Sequence, residues 1–173
     1  VKKLGLQVCD ALKFIHAEGI IHRDMKPSNI WCLENADAAI DIKLLDFGLC
    51  KALANENPSR AITGPGRIVG TPNYMAPEQC RGESLDERAD IYSLGCVLWE
   101  ALTGRRMVRG RTPLDSLMTH INEPTSPPSQ LGITVCAGFE AAIMKALHKT
   151  PELRWSSADE MRLALLNCSV PEA

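Results

Sequence analysis

At 173 residues the chain is long enough for one domain with a real core, and 45% hydrophobic against 23% charged residues is an ordinary globular balance. A formal net charge of −2 gives no electrostatic case for nucleic acid or an anionic membrane surface as partner. Seven cysteines, an odd count with no CxxC pair, fit buried free thiols in a reducing cytoplasm and disfavour a disulfide framework or a metal site.

Val1, Leu4, Val8, Leu12 and Ile15 recur at helical spacing, and Gly19 supplies a stop. The chain opens at Val1 already inside this pattern, so it reads as a fragment whose natural start lies upstream. Ile20-Ile21 leads into a loop, His22-Arg23-Asp24-Met25-Lys26-Pro27-Ser28-Asn29. Residues 30 to 33 and 42 to 45 are short apolar runs around a polar turn, which predicts a small hairpin. That hairpin would hang Asn29 before one strand and Asp46 after the other. Its turn is slightly long, as if it carried an insertion.

Residues 49 to 73 lack sustained periodicity and carry three prolines and three glycines. A loop of this length inside a domain is usually functional. Residues 89 to 102 are apolar on nearly every face and predict a central buried helix ended by Gly104. At 12 residues, the strongly apolar run Ile91 to Leu102 is too short to span a bilayer, and no signal peptide is visible. Arg105, Arg106, Arg109 and Arg111 form a basic run, expected to be a solvated loop. A shorter helix is expected over 113 to 122. The three prolines in 123 to 130 exclude regular structure there, and two closing helices follow over 139 to 148 and 157 to 166.

The chemistry concentrates in residues 22 to 48. A lone His-Arg-Asp is most often a surface loop. Here the acid is followed by a lysine two residues on, an amide five residues on, and Asp46-Phe47-Gly48 beyond the hairpin. Phosphoryl transfer needs alignment, charge neutralisation and a place for the acceptor's proton. Asp24 can accept that proton, Lys26 can hold the transferring group, and Asn29 and Asp46 offer the hard oxygens that Mg²⁺ prefers. Phe47 should pack inward, and Gly48 permits a tight turn.

These eight loop positions and the Asp-Phe-Gly turn resemble the catalytic loop and metal-binding turn of the eukaryotic-type protein kinases, in their bacterial form. Gly70-Thr71-Pro72-Asn73-Tyr74-Met75-Ala76-Pro77-Glu78 is similar to that family's substrate-docking segment and Ala-Pro-Glu motif. Asp90-Ile91-Tyr92-Ser93-Leu94-Gly95 is similar to the start of its central helix, and His148 to Trp155 to its late arginine motif. The resemblance implies a mainly α fold with a small β-hairpin, namely the C-terminal lobe of a two-lobed α+β parent. It covers the whole 1–173 span, with an activation segment at about 46–78. The glycine-rich loop, strand lysine and helix glutamate of the N-terminal lobe are not in this sequence.

The resemblance also implies roles. Asp24, Lys26 and Thr71 would be catalytic, with Thr71 bonding toward the other two. Lys26, Asn29, Trp31 and Asp46 would face the ATP, Asn29 and Asp46 as Mg²⁺ ligands and Trp31 under the adenine. Asp90 would brace the His22-Arg23 turn, His22 and Phe47 would stack inside, and Glu78 would pair with Arg154. Lys26-Pro27 and Thr71 resemble the serine/threonine group, so protein Ser/Thr hydroxyls are the implied acceptors. Thr63, more than Ser59, would be the phosphorylated loop residue, with Arg23 as the cation its phosphate meets. The fragment alone is expected to be nearly inactive, and cytoplasmic unless the parent is anchored through other segments. A kinase-like scaffold that has lost catalysis is the rival reading.

Overall fold

A computed structural model describes residues 1–34, 40–46 and 72–168. The expectations placed on Phe47, Gly48, Ser59, Thr63 and Thr71 lie outside those residues. Helix α1 runs Lys2–Ala17, and a hairpin follows with strands β1 (Ile30–Glu34) and β2 (Ile40–Leu44). Then come a short helix α2 (Pro77–Arg81), the long α3 (Arg88–Thr103) and α4 (Pro113–Asn122). Helices α5 (Ala137–Ala146) and α6 (Ala158–Asn167) are the last of the described helices. The architecture is mainly helical with one antiparallel hairpin, as the sequence implies.

Helix α3 is the axis of the core. Residues Ala89 to Trp99 are all buried, because other elements cover it on every side. The α1 stripe Val8, Leu12 and Ile15 meets Ile91, Leu94 and Leu98 of α3, and Ile143, Met161 and Leu165 close the cluster from α5 and α6. Helix α1 also carries the hairpin: the Ile42 amide donates to the Gln7 side chain at 2.7 Å, and α1 packs along β2. Gly19 (φ 70°) and Gly104 (φ 65°) lie just past the ends of α1 and α3 in the left-handed conformation that other residues resist.

Some boundaries depart from the sequence reading. The strands run 30–34 and 40–44, because β2 starts two residues earlier than its apolar run suggests. Helix α5 is displaced two residues toward the N-terminus, and α6 starts after Ser157, whose hydroxyl accepts from the Glu160 amide as an N-cap. The region 123 to 130 is not wholly irregular: a 3₁₀ turn spans Pro128–Leu131, since proline at a first helical position forfeits no hydrogen bond. Helix α2 was not anticipated; it is five residues long, too short to show a period.

Cys9, Cys32, Cys80, Cys96 and Cys168 are free thiols. Burial pushes Cys9 and Cys80 up to about 12, so both act as small apolar groups rather than nucleophiles. No helix among the described residues is long and apolar enough to cross a membrane.

A polar row lies against α3, buried at Tyr92 and His120 and half-buried at Lys149. Lys149 Nζ donates to Tyr92 Oη at 3.1 Å, and Tyr92 Oη lies 2.9 Å from His120 Nδ1. Burial pulls His120 from 6.5 down to about 4; the Lys149 charge adds to the shift, and the Asn73 and Pro72 carbonyls oppose it. A histidine whose folded value is depressed stays neutral while the unfolded chain takes up a proton. Its contribution to stability is therefore complete above about pH 6.5 and is lost as pH falls toward 4, on the order of 3 kcal/mol in all. The melting temperature should drop across that window, and His120→Gln should flatten the drop. Parallel pH profiles for parent and variant would show that the proton goes elsewhere.

Candidate active site

The site is assembled at the open end of the hairpin. Ile30 pairs with Leu44 in the antiparallel register, and the Leu45 amide donates to the Asn29 carbonyl at 2.8 Å. Asn29 and Asp46 therefore sit on neighbouring strand ends, one just before β1 and one just after β2. The loop from Ile20 to Lys26 reaches the same place from α1 and closes in a 3₁₀ turn, Pro27–Asn29.

Asp24 is the centre of this loop, with 9% exposure. Lys26 Nζ donates to Asp24 Oδ2 at 2.5 Å. The Asn29 amide nitrogen donates to the Asp24 carbonyl at 2.8 Å and to Oδ2 at 3.2 Å. One carboxylate oxygen is thus fixed by two donors, which leaves the carboxylate oriented rather than swinging. The Asn29 nitrogen is spent on Asp24, so its amide oxygen is the atom left to meet a cation. Asp46 is exposed, with φ 59°, a conformation that aspartate tolerates better than most residues.

Arg23 is also left-handed, at φ 66°, and an arginine there is strained. Three contacts from distant elements hold it. Asp90, buried in the first turn of α3, accepts from the Arg23 amide through Oδ1 and from the His22 amide through Oδ2, both at 2.8 Å. Gln79 of α2 donates to the Arg23 carbonyl at 2.7 Å. His22, fully buried, places Nε2 3.1 Å from the Leu45 carbonyl, tying the loop to the end of β2. Asp90 thus meets the His22-Arg23 turn through two hydrogen bonds.

Two supports escaped the sequence reading. His16 Nε2 lies 2.8 Å from Asp90 Oδ2 and fixes the brace itself. Its signal was present, since His16 follows Leu12 by four residues on the buried side of α1, where a polar residue needs a partner. Gln79 gave no signal beyond its place after the Ala-Pro-Glu motif.

Glu78 and Arg154 are both buried and joined by two parallel bonds of 2.7 Å. Arg154 also donates to the carbonyls of His148, Arg88 and Lys149, and its guanidinium carbon lies 4.9 Å from the Tyr92 ring centre. Trp31 stands on β1 opposite Lys43 and is 57% exposed, a large aromatic face with little protein cover.

The donor set suits Mg²⁺. No group of three His, Cys, Asp or Glu side chains among the described residues forms an all-protein cage. An amide oxygen and a carboxylate on adjacent strand ends match an ion that keeps its waters and takes further oxygens from phosphates.

The protein kinase domain family model matches residues 1–164. The serine/threonine-protein kinase PknB of Mycobacterium tuberculosis is 43% identical over 168 residues, 95% of this chain and 26% of the relative. PknB of Mycobacterium leprae is 43% identical over 158 residues, 91% of this chain and 24% of the relative. Serine/threonine-protein kinase Pkn1 of Myxococcus xanthus is 44% identical over 159 residues, 92% of this chain and 22% of the relative. The chain spans about a quarter of the length of these curated relatives.

Proposed function

Since the chain belongs to the protein kinase family, we propose that it is the phosphotransfer half of a protein serine/threonine kinase. The reaction would move the γ-phosphoryl group of ATP onto Ser or Thr hydroxyls of proteins. One observation carries the reading: the Asp24 carboxylate is held by Lys26 and Asn29 at the hairpin end where Asp46 also stands.

Asp24 accepts the hydrogen bond of the incoming hydroxyl, aims its lone pair and takes its proton as the new bond to phosphorus forms and the bond to the bridging oxygen breaks, with ADP as the leaving group. Lys26, beside Asp24, neutralises charge on the group in transit. Asn29 and Asp46 would hold Mg²⁺, which would supply positive charge to offset that of the phosphates. Trp31 offers an apolar face to the adenine. The cover over the phosphates, with its anchoring lysine, would come from chain outside these 173 residues, so the piece alone should be almost inactive.

Arg23 fits a regulatory role. Its Nε is buried with no partner among the described residues. A phosphate on the 47–71 segment, with Thr63 as the main candidate, would supply an anion for it.

The test uses the full-length protein containing this chain, labelled ATP with Mg²⁺, and peptides bearing Ser, Thr or Tyr. Transfer to Ser and Thr peptides supports the reading. No transfer to any of them rejects it in favour of the scaffold. The metal assignment has its own check: Asp46→Asn should raise the Mg²⁺ concentration for half-maximal activity by roughly tenfold or more. An unchanged Mg²⁺ titration would remove Asp46 from the ligand set.

A further inference from the structure

Beside the segment that follows Thr71 lies a cleft of about 470 Å³, open to solvent and lined by Asn73, Glu100, Gly104, Arg106, Val108, Arg109 and Gly110. Its volume falls within the usual range for ligand sites, roughly 300–1,000 Å³. The far wall is part of the basic run that the sequence alone reads as a solvated loop. The loop is indeed exposed, yet Arg106 and Arg109 stand at one cavity rather than along an open surface.

The charges of this cleft do not balance. Among the described lining residues Glu100 is the one carboxylate, and that group already accepts the Tyr74 hydroxyl at 2.6 Å. Among the described residues neither Arg106 nor Arg109 makes an ion pair, although other surface arginines, Arg81, Arg88 and Arg162, each have a carboxylate partner. Two arginines therefore line the cleft with, among the described residues, at most one carboxylate to offset them.

The near wall is fixed. Asn73 Oδ1 accepts from Ser116 Oγ of α4 at 3.1 Å, and the Tyr74 carbonyl accepts from Ser93 Oγ of α3 at 2.7 Å. The same stretch continues into α2, whose Gln79 holds the Arg23 carbonyl beside Asp24. The cleft thus keeps a constant relation to the catalytic loop, as a subsite for a flanking side chain would require.

We propose that Arg106 and Arg109 form a subsite for one anionic side chain of the acceptor polypeptide, so that the enzyme prefers acceptors with a negative charge at a fixed distance from the Ser or Thr. This rests on the proposed kinase function and on residues 72–78 seating the acceptor. The anion can be a carboxylate of Asp or Glu or the phosphate of an already phosphorylated residue. A guanidinium pair takes either through its parallel N–H donors. Arginine, unlike lysine, keeps its charge and fork geometry at any working pH.

The experiment uses the full-length protein and a peptide series sharing one acceptor Ser, with Glu, phosphoserine, Gln or Lys placed in turn at each flanking position. At one flanking position the Glu peptide should exceed the Gln peptide in kcat/KM by roughly three- to tenfold, the size expected of partly exposed ion pairs. The phosphoserine peptide separates the two sources: a larger gain than Glu assigns the subsite to a phosphate, an equal or smaller gain to a carboxylate. In Arg106→Gln/Arg109→Gln the ratio of Glu to Gln peptide should fall to near one, and Arg109→Glu should turn the preference toward Lys. Ratios of one at every position in the parent protein, with the Gln peptide still phosphorylated, overturn the subsite and leave the kinase reading intact. A preference that survives both arginine variants also overturns it. Phosphorylation of no peptide overturns the subsite and the kinase reading together.

Discussion

Replacing Asp24 by asparagine in the full-length protein should lower turnover by roughly two to four orders of magnitude. The substitution keeps the size and planar shape of the side chain, so the bond to Asn29 can be rebuilt around the new amide. What is lost is the proton acceptor and the negative charge opposite Lys26, which lies 2.5 Å from it. The carboxylate is only 9% exposed, so bulk water is a poor substitute for it. Melting temperature should change little, because the loop is held by Asp90, Gln79 and His22 through backbone groups. Single-turnover rates with saturating acceptor, together with a melting curve, check both halves. Turnover within a few-fold of the parent would show that Asp24 is not the acceptor of the proton.

The largest effect on stability should come from Arg154→Ala. The substitution leaves the Glu78 carboxylate buried without a counter-charge and strips hydrogen bonds from three carbonyls. Breaking one side of a buried pair costs about 3–5 kcal/mol. For a domain of this size that corresponds to a fall of about 6–20 °C in melting temperature. Replacing both partners by apolar residues of similar volume should recover part of the loss, since the unpaired charge disappears. A single variant that melts with the parent would mean that water reaches Glu78 and screens it.

The sequence made most of the fold legible because its long helices are strongly periodic. Helix α1 shows its stripe through Val8, Leu12 and Ile15, and α4 was delimited to the residue by Pro113 and the polar stretch after Asn122. The hairpin was legible from its two apolar runs, though β2 begins at Ile40, before its first convincing alternation. Helix α2 was invisible because five residues cannot display a 3.6-residue period, and its identity rests on tertiary contacts and on Gly82 at its end.

For the candidate site, the sequence named Asp24, Lys26, Asn29 and Asp46, and the fold gathers them at one hairpin end. It could not show that Asp90 is itself held by His16, because that contact joins residues 74 positions apart. Nor could it distinguish a solvated run of arginines from two guanidiniums at one cavity, which depends on how the chain after α3 folds back toward Asn73.

Arg23 and Asp46, the two described residues other than glycine with a left-handed backbone, carry a consequence for how such a sequence changes over time. A side chain in that conformation costs roughly 1–2 kcal/mol that glycine does not. Selection for a tougher protein alone would favour glycine at both positions, at the expense of the carboxylate proposed to meet Mg²⁺ and the cation proposed to meet a loop phosphate. The sites where this chain could most cheaply gain robustness are the ones where it would lose those proposed contacts. A library screened only for heat resistance should therefore enrich glycine at 23 and 46, and a second screen for phosphotransfer should purge it. Durability and competence are drawn from the same few degrees of backbone rotation.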